Sequence, residues 1–338
     1  MSASASSVAS DSTTKVLYIL GNQRGGTTIA GRLIGELPGF AFVGELRKLW
    51  EVALPEGRRC GCGKNYSQCP VWSRVMPVLA DFGASAAQGW QRQVVPVTHS
   101  WWHAWHLSRQ APHRRPPAVR SYAAALCSTY EAWAAATGAR VVVDGSKLPA
   151  DAYMASLCDG LEVYFLEIVR DPRGVLGSQL RRLDAERRRG FNPRHDLYGA
   201  AAWTSRHLAC RWLRRRLGSH RFLTVSYERL VAEPLACLAE ISVLVGESVA
   251  LPDVADDGTV HLGTAHTPIG NGRFGPTAVR LERDDRWVTD VSRKDILLTT
   301  ILTGWLAGRF GYPLRPVAVR SHPPRVPASP GPSPSEAG

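Results

Sequence analysis

No stretch of this sequence is long and apolar enough to span a bilayer. The longest strongly apolar run without charge, 296–308, falls well short of the ~20 residues a spanning helix needs. Residues 1–14 are Ser, Ala and Thr with a single Asp11, lacking both a basic n-region and an apolar h-region, so no secretory signal is expected in them. Seven cysteines in 338 residues are too few for a disulfide scaffold. These absences predict a cytoplasmic protein. Lysine is also scarce. The 41 Lys+Arg are nearly all arginine, and against 29 Asp+Glu they give a formal net charge of +12. A guanidinium is a fixed fork of donors that suits phosphate and carboxylate, so the expected partner is anionic.

With 44% hydrophobic and 21% charged residues, the composition excludes a wholly disordered chain and supports a sizeable core. Residues 1–14 read as a disordered lead and 315–338, rich in proline, as a disordered tail. Between them, 15–314 reads as one domain. Short apolar runs at Lys15–Leu20, Phe40–Val43, Val141–Val143, Leu161–Val169 and Phe222–Ser226 predict strands. Helices are predicted over Ile29–Leu37, Pro149–Cys158, from Pro172 onward, 197–217, Pro234–Val245 and Arg293–Phe310. This alternation argues for an α/β fold, a central parallel sheet flanked by helices. Residues 51–139, rich in Trp, His and Pro, read as a mainly helical insertion.

The most informative segment is Gly21-Asn-Gln-Arg-Gly-Gly-Thr-Thr28, set between a predicted strand and a predicted helix. Glycines let the backbone curl so that several N–H groups point at one anion, and the helix behind adds free N–H groups and a positive dipole end. Arg24 supplies a full charge; Thr27 and Thr28 supply hydroxyls. The loop is nearly a Walker A motif, but Thr27 stands where that motif needs lysine, which argues against a nucleoside triphosphate. The glycine spacing does not fit a dinucleotide fingerprint.

Arg24-Gly25-Gly26-Thr27-Thr28 resembles the 5′-phosphosulfate loop of sulfotransferases that use 3′-phosphoadenosine 5′-phosphosulfate (PAPS), with Gly25 where serine is usual. Arg170 at a strand end and Ser178 on the next helix resemble that family's 3′-phosphate hold, and Arg182 lies one turn further. Val225-Ser-Tyr-Glu-Arg-Leu230 resembles its Y-E-x-L segment, which implies that Tyr227 lies near the nucleotide. The stretch from Gly270 to Trp287 resembles its late basic loop, with Arg273 and Arg280 as candidates. The resemblance covers roughly 15–50 and 140–312. It implies a P-loop-like sulfotransferase of bacterial type that uses PAPS as co-substrate, requires no metal, and acts on a small-molecule, glycan or lipid hydroxyl. The acceptor would be chosen by 51–139.

Sulfuryl transfer needs a base for the acceptor proton, fixed donors for the sulfuryl and bridging oxygens, and in-line placement of the acceptor. Glu45, after the second strand, is the candidate base. It matches the G-E segment of protein-tyrosine and carbohydrate sulfotransferases, although the alternative is a plain salt bridge to Arg47 or Lys48. Asp144-Gly-Ser-Lys147 resembles a D-[SG]-S-K segment of bacterial sulfotransferases. Lys147 would contact the sulfuryl or bridging oxygen, with Asp144 orienting it. The same strand also resembles a Walker B element, in which Asp144 would hold magnesium. The rival function is therefore a nucleotide-dependent phosphotransferase, and a second rival is a non-catalytic anion binder.

Cys60, Cys62 and Cys69 have metal-like spacing without a fourth ligand nearby in sequence, so free thiols are expected. His99, His103 and His106 interleave with Trp101, Trp102 and Trp105, as in a helix lining the acceptor pocket or simply packing. Arg187–Arg189 and Arg214–Arg216 lack the aromatic interleaving of RNA binders, so no nucleic-acid partner is expected.

Overall fold

A computed structural model describes residues 13–54, 57–94, 101–185, 193–270 and 272–314. Most of the expected lead, the tail from Arg315, His99 and Arg187–Arg189 lie outside the described residues.

β1 (Lys15–Gly21) runs into α1 (Thr27–Ile34) and returns as β2 (Phe40–Gly44). The insertion that follows is mainly helical, with α2 (Trp72–Ala80), α3 (Ala84–Gly89), α4 (Trp101–Ser108) and α5 (Pro117–Thr137). α5 opens on proline, whose missing N–H costs nothing in a first turn, and ends at Gly138 in the left-handed conformation (φ 70°). Then come β3 (Val141–Lys147), α6 (Pro149–Ala155), β4 (Glu162–Val169), α7 (Pro172–Ala185), α8 (Pro193–Leu217) and β5 (Phe222–Ser226). The chain continues through α9 (Tyr227–Ala232), α10 (Pro234–Leu244), β6 (Thr259–Leu262), β7 (Thr277–Arg280), α11 (Trp287–Asp290) and α12 (Arg293–Ala307).

The first five strands form one parallel sheet in the order β2-β3-β1-β4-β5. Val16, Leu17, Ile19 and Leu20 of β1 are fully buried, because helices cover both faces of the sheet. One face packs Leu33, Ile34, Leu230, Leu238 and Ile241 against the strands. The other packs the insertion and α8 through Trp72, Tyr130, Trp133 and Leu213. A disulfide joins Cys127 of α5 to Cys158 beyond α6.

From β1 the chain steps past β3 to reach β2, and later places β4 on the opposite side of β1. At such a reversal the loops leaving the strand ends diverge and leave a crevice. Gly21, Gly44, Lys147 and Val169 end their strands at this edge.

Three differences from the sequence expectations bear on the site. β3 does not stop at Val143. It continues through Lys147, pairing Asp144 with Gly44 and Lys147 with Leu20, with one extra residue bulged between the Tyr18 and Leu20 pairings. The expected helix from Pro234 has a separate short helix before it, α9, because a proline ring cannot continue a preceding helix. The expected late loop contains β7, paired antiparallel with β6.

Candidate active site

The glycine loop leaves β1 in a tight turn closed by the Gly25 N–H donating to the Asn22 carbonyl at 3.0 Å. Arg24 is left-handed (φ 66°), an unusual state for a residue with a Cβ. Gly26 is also left-handed (φ 91°), and a Cβ there would collide with the Tyr227 ring. α1 starts directly behind it with no side-chain cap and no acidic residue in its first turn, leaving its first N–H groups for an anion. Sequence reasoning missed the support beneath. Asn22 Nδ2 donates to His207 Nε2 at 3.0 Å, and His207 Nδ1 donates to Glu167 at 2.7 Å. Thr224 donates to the other Glu167 oxygen at 3.2 Å. This chain ties the loop to α8, β4 and β5.

The second anchor adjoins the first. Arg24 Nε donates to Ser178 Oγ at 2.9 Å, and Arg170 Nη1 donates to the Arg24 carbonyl at 3.0 Å. The Arg170 guanidinium lies 4.4 Å over the Tyr227 ring, so Tyr227 is clamped between Gly26 and Arg170. Burial lowers the Arg24 pKa, and the like charges of Arg182, Arg170 and Arg181 push it further down. One carboxylate offsets this concentration of positive charge. Asp284 accepts from Arg170 at 3.0 Å, from Arg181 at 2.5 Å and from Arg286 at 2.8 Å. Burial works to raise the Asp284 pKa. Hydrogen bonds from Arg286 and Arg170 and the charges of Arg170 and Arg181 outweigh it and hold the value at about 2.

Across β1, at the end of β2, Glu45 receives a hydrogen bond from Lys147 Nζ. Of the two partners weighed from sequence, Arg47 pairs with Asp151 at 2.7 Å and Lys48 with Glu51 at 2.6 Å, while Glu45 pairs with Lys147. Lys147 is left-handed (φ 75°) and buried. Burial lowers its pKa, and Glu45 works against that. Asp144 is wholly buried. Its Oδ2 accepts from the Tyr130 hydroxyl at 2.7 Å and its Oδ1 from the Ser146 N–H at 2.8 Å. Burial raises its pKa to about 6. Both oxygens accept hydrogen bonds from within the protein.

A model of the sulfotransferase family matches residues 17–250. The chain belongs to the sulfotransferase family. No curated protein matches the sequence. Among solved structures, this sulfotransferase is similar to the sulfotransferase domain from the curacin biosynthetic pathway. That pair has 13% identity, a TM-score of 0.48, and covers 87% of this chain and 98% of that one. It is also similar to the sulfotransferase domain of the Synechococcus PCC 7002 olefin synthase, at 17% identity and TM-score 0.45, covering 87% and 94%. For sulfotransferase STF9 from Mycobacterium avium the values are 15% and 0.40, with 70% and 64% covered.

The remaining candidates of the sulfotransferase sit elsewhere. Arg273 is exposed in a turn after Gly270. Arg280 donates to the Asp257 carbonyl at 3.0 Å and pairs with Glu282. The late segment that reaches the anchor is instead 282–286: the Glu282 carbonyl accepts from Tyr227 at 3.2 Å, and Asp284 meets the arginines. Trp102 and Trp105 stack at 4.7 Å on α4, and His106 packs edge-on against both. Arg215 and Arg216 are exposed at the end of α8. No helix among the described residues is long and apolar enough to cross a membrane.

Proposed function

We propose that this sulfotransferase takes PAPS as donor and transfers its sulfuryl group to a hydroxyl of a small-molecule, glycan or lipid acceptor, releasing 3′-phosphoadenosine 5′-phosphate (PAP). The proposal includes a cytoplasmic setting. The observation that carries it is the direct contact of Arg24 with Ser178 and Arg170. Two anion holds, far apart in sequence, adjoin at one edge of the sheet, separated by about the reach of one arginine side chain. That is the scale of one ribose bearing a 5′- and a 3′-phosphate.

In this reading the N–H groups of Gly25–Thr28 and the two threonine hydroxyls hold the 5′ end. Arg170, Ser178 and Arg182 hold the 3′-phosphate, and Tyr227 walls the site between them. Arg273, from the late loop, is retained as a contact for the nucleotide. Lys147 turns from Glu45 toward the sulfuryl and bridging oxygens, with Arg24 beside it, meeting the charge that builds as the S–O bond to the phosphate breaks. Glu45, freed, takes the acceptor proton as the new O–S bond forms. No step calls for a metal.

The phosphotransferase alternative needs a cation held by Asp144, whose oxygens Tyr130 and Ser146 occupy. Thermal shift separates the readings. PAP should raise the melting temperature and ATP with magnesium should not; the reverse pattern overturns the proposal. Transfer of labelled sulfate from PAPS to an acceptor panel then distinguishes an enzyme from a binder.

A further inference from the structure

The C-x-C and third cysteine after β2 lack a fourth ligand in sequence; folding supplies one. Cys60, Cys62, Cys69 and His266 bring their ligand atoms within 4.8 Å of one another. His266 comes from the loop between β6 and β7, about two hundred residues further along the chain. Cys60 Sγ lies 3.6 Å from Cys69 Sγ and 3.8 Å from His266 Nδ1, and Cys69 Sγ lies 3.2 Å from the same nitrogen. A tetrahedron with Zn–S bonds of ~2.3 Å has edges of about 3.8 Å, so these separations need only small adjustments. We propose that Cys60, Cys62, Cys69 and His266 form a structural zinc site that clamps the β6–β7 loop onto the segment before α2.

Soft thiolates with one imidazole in a tetrahedral set select zinc. Four protein ligands leave no open position, so the ion is structural and takes no part in transfer. The surroundings have the features of a built site. The Cys62 N–H donates to Cys60 Sγ at 3.5 Å, orienting a ligand sulfur. The two loops interlock by backbone: the Gly61 N–H donates to the Thr267 carbonyl at 2.9 Å and the Phe274 N–H to the Gly61 carbonyl at 3.1 Å. Trp72 Nε1 fixes the His266 carbonyl at 2.9 Å. A Cβ on Gly61 would lie 2.6 Å from the Ala265 carbonyl oxygen, and Gly63 is left-handed (φ 89°). The glycines of Cys60-Gly-Cys-Gly63 therefore serve the close approach of the loops while its cysteines serve the ion.

The clamp reaches the active site through Thr267. Next to His266, Thr267 is buried against Gly44, where a Cβ would lie 2.6 Å from its methyl group. Gly44 precedes Glu45. The zinc thus fixes the segment that backs the candidate base, and this last clause alone rests on the role proposed for Glu45.

The test is metal content of the full chain, purified without a metal-affinity tag from zinc-replete cells. About one zinc per chain is expected, and cobalt replacing it should give tetrahedral ligand-field bands with thiolate charge transfer. Cys69→Ser and His266→Ala should lose the ion, while Cys237→Ser, at a buried thiol away from the cluster, should keep it. Stripping the zinc should raise hydrogen exchange in 60–69 and 263–275 and leave the five-stranded sheet protected. Wild-type protein with less than about a tenth of an equivalent and no cobalt spectrum overturns the site whatever the variants do. A mapped Cys60–Cys69 disulfide in the wild type overturns it as well.

Discussion

Replacing Arg170 with alanine tests the two-anchor reading where its contacts are best defined. The side chain is 5% exposed and donates to the Arg24 carbonyl and to both oxygen types of Asp284. Without it Asp284 keeps Arg181 and Arg286, so no buried carboxylate is stranded and the fold should survive with a melting point lowered by a few degrees. Binding should suffer more. A hydrogen bond to a charged group contributes about 1.5–3 kcal/mol, so losing a fork of two costs at least ~3 kcal/mol, or about 100-fold in Kd. The assay is titration calorimetry with PAP and, in parallel, adenosine 5′-phosphate, which lacks the 3′-phosphate. Arg170→Ala should lower PAP affinity to near that of the singly phosphorylated nucleotide and leave the latter almost unchanged. Equal weakening of both would make Arg170 a support for the loop and refute its role as the 3′-phosphate hold.

Glu45→Gln should lower kcat by about 10²–10³-fold while PAP affinity stays within about twofold, read by steady-state kinetics beside calorimetry; an unchanged kcat removes Glu45 as the base. Lys147→Ala should likewise depress single-turnover sulfuryl transfer, and wild-type turnover would exclude it from the mechanism. Gly26→Ala should reduce PAP binding at least about tenfold, since a left-handed alanine costs ~1–2 kcal/mol before the Tyr227 collision is counted; unimpaired binding would mean the loop is not the 5′ hold. Among the described residues, Asp196 of α8 and Asp295 of α12 each leave one buried oxygen without a partner, which a proton shared between them satisfies. Burial, then the hydrogen bond and charge of Asp295, raise the Asp196 pKa from 3.8 to about 7, with His195 3.8 Å away on the same helix. The folded state therefore binds the extra proton, and the pair's stabilisation is lost as pH rises from about 4 through 7. Asp196→Asn should flatten the melting temperature between pH 5 and 8, whereas parallel curves for variant and wild type would refute the shared proton.

The parallel sheet and its glycine loop were legible because buried strands read as short apolar runs and the turn needs glycine where φ is positive. Lys147 was visible as a residue but not as a strand residue, since Asp-Gly-Ser-Lys carries none of the apolar signal that marks a strand; its pairing with Leu20 depends on neighbours the sequence does not name. The Asn22–His207–Glu167 support and Asp284 were not legible, because each unites residues distant in the chain with no spacing rule between them. Local spacing exposed three cysteines and could not reveal His266, which only the β6–β7 loop brings to them. Nor does any local signal mark 282–286, the stretch of the late segment that touches Tyr227 and Arg170.

A crystal structure of the protein with PAP measures the central claim most directly. The account predicts one nucleotide bridging the crevice, its 5′-phosphate on the N–H groups of Gly25–Thr28 and its 3′-phosphate on Arg170 and Ser178. A nucleotide bound elsewhere, or one that reaches the glycine loop while its 3′-phosphate faces solvent, would contradict it.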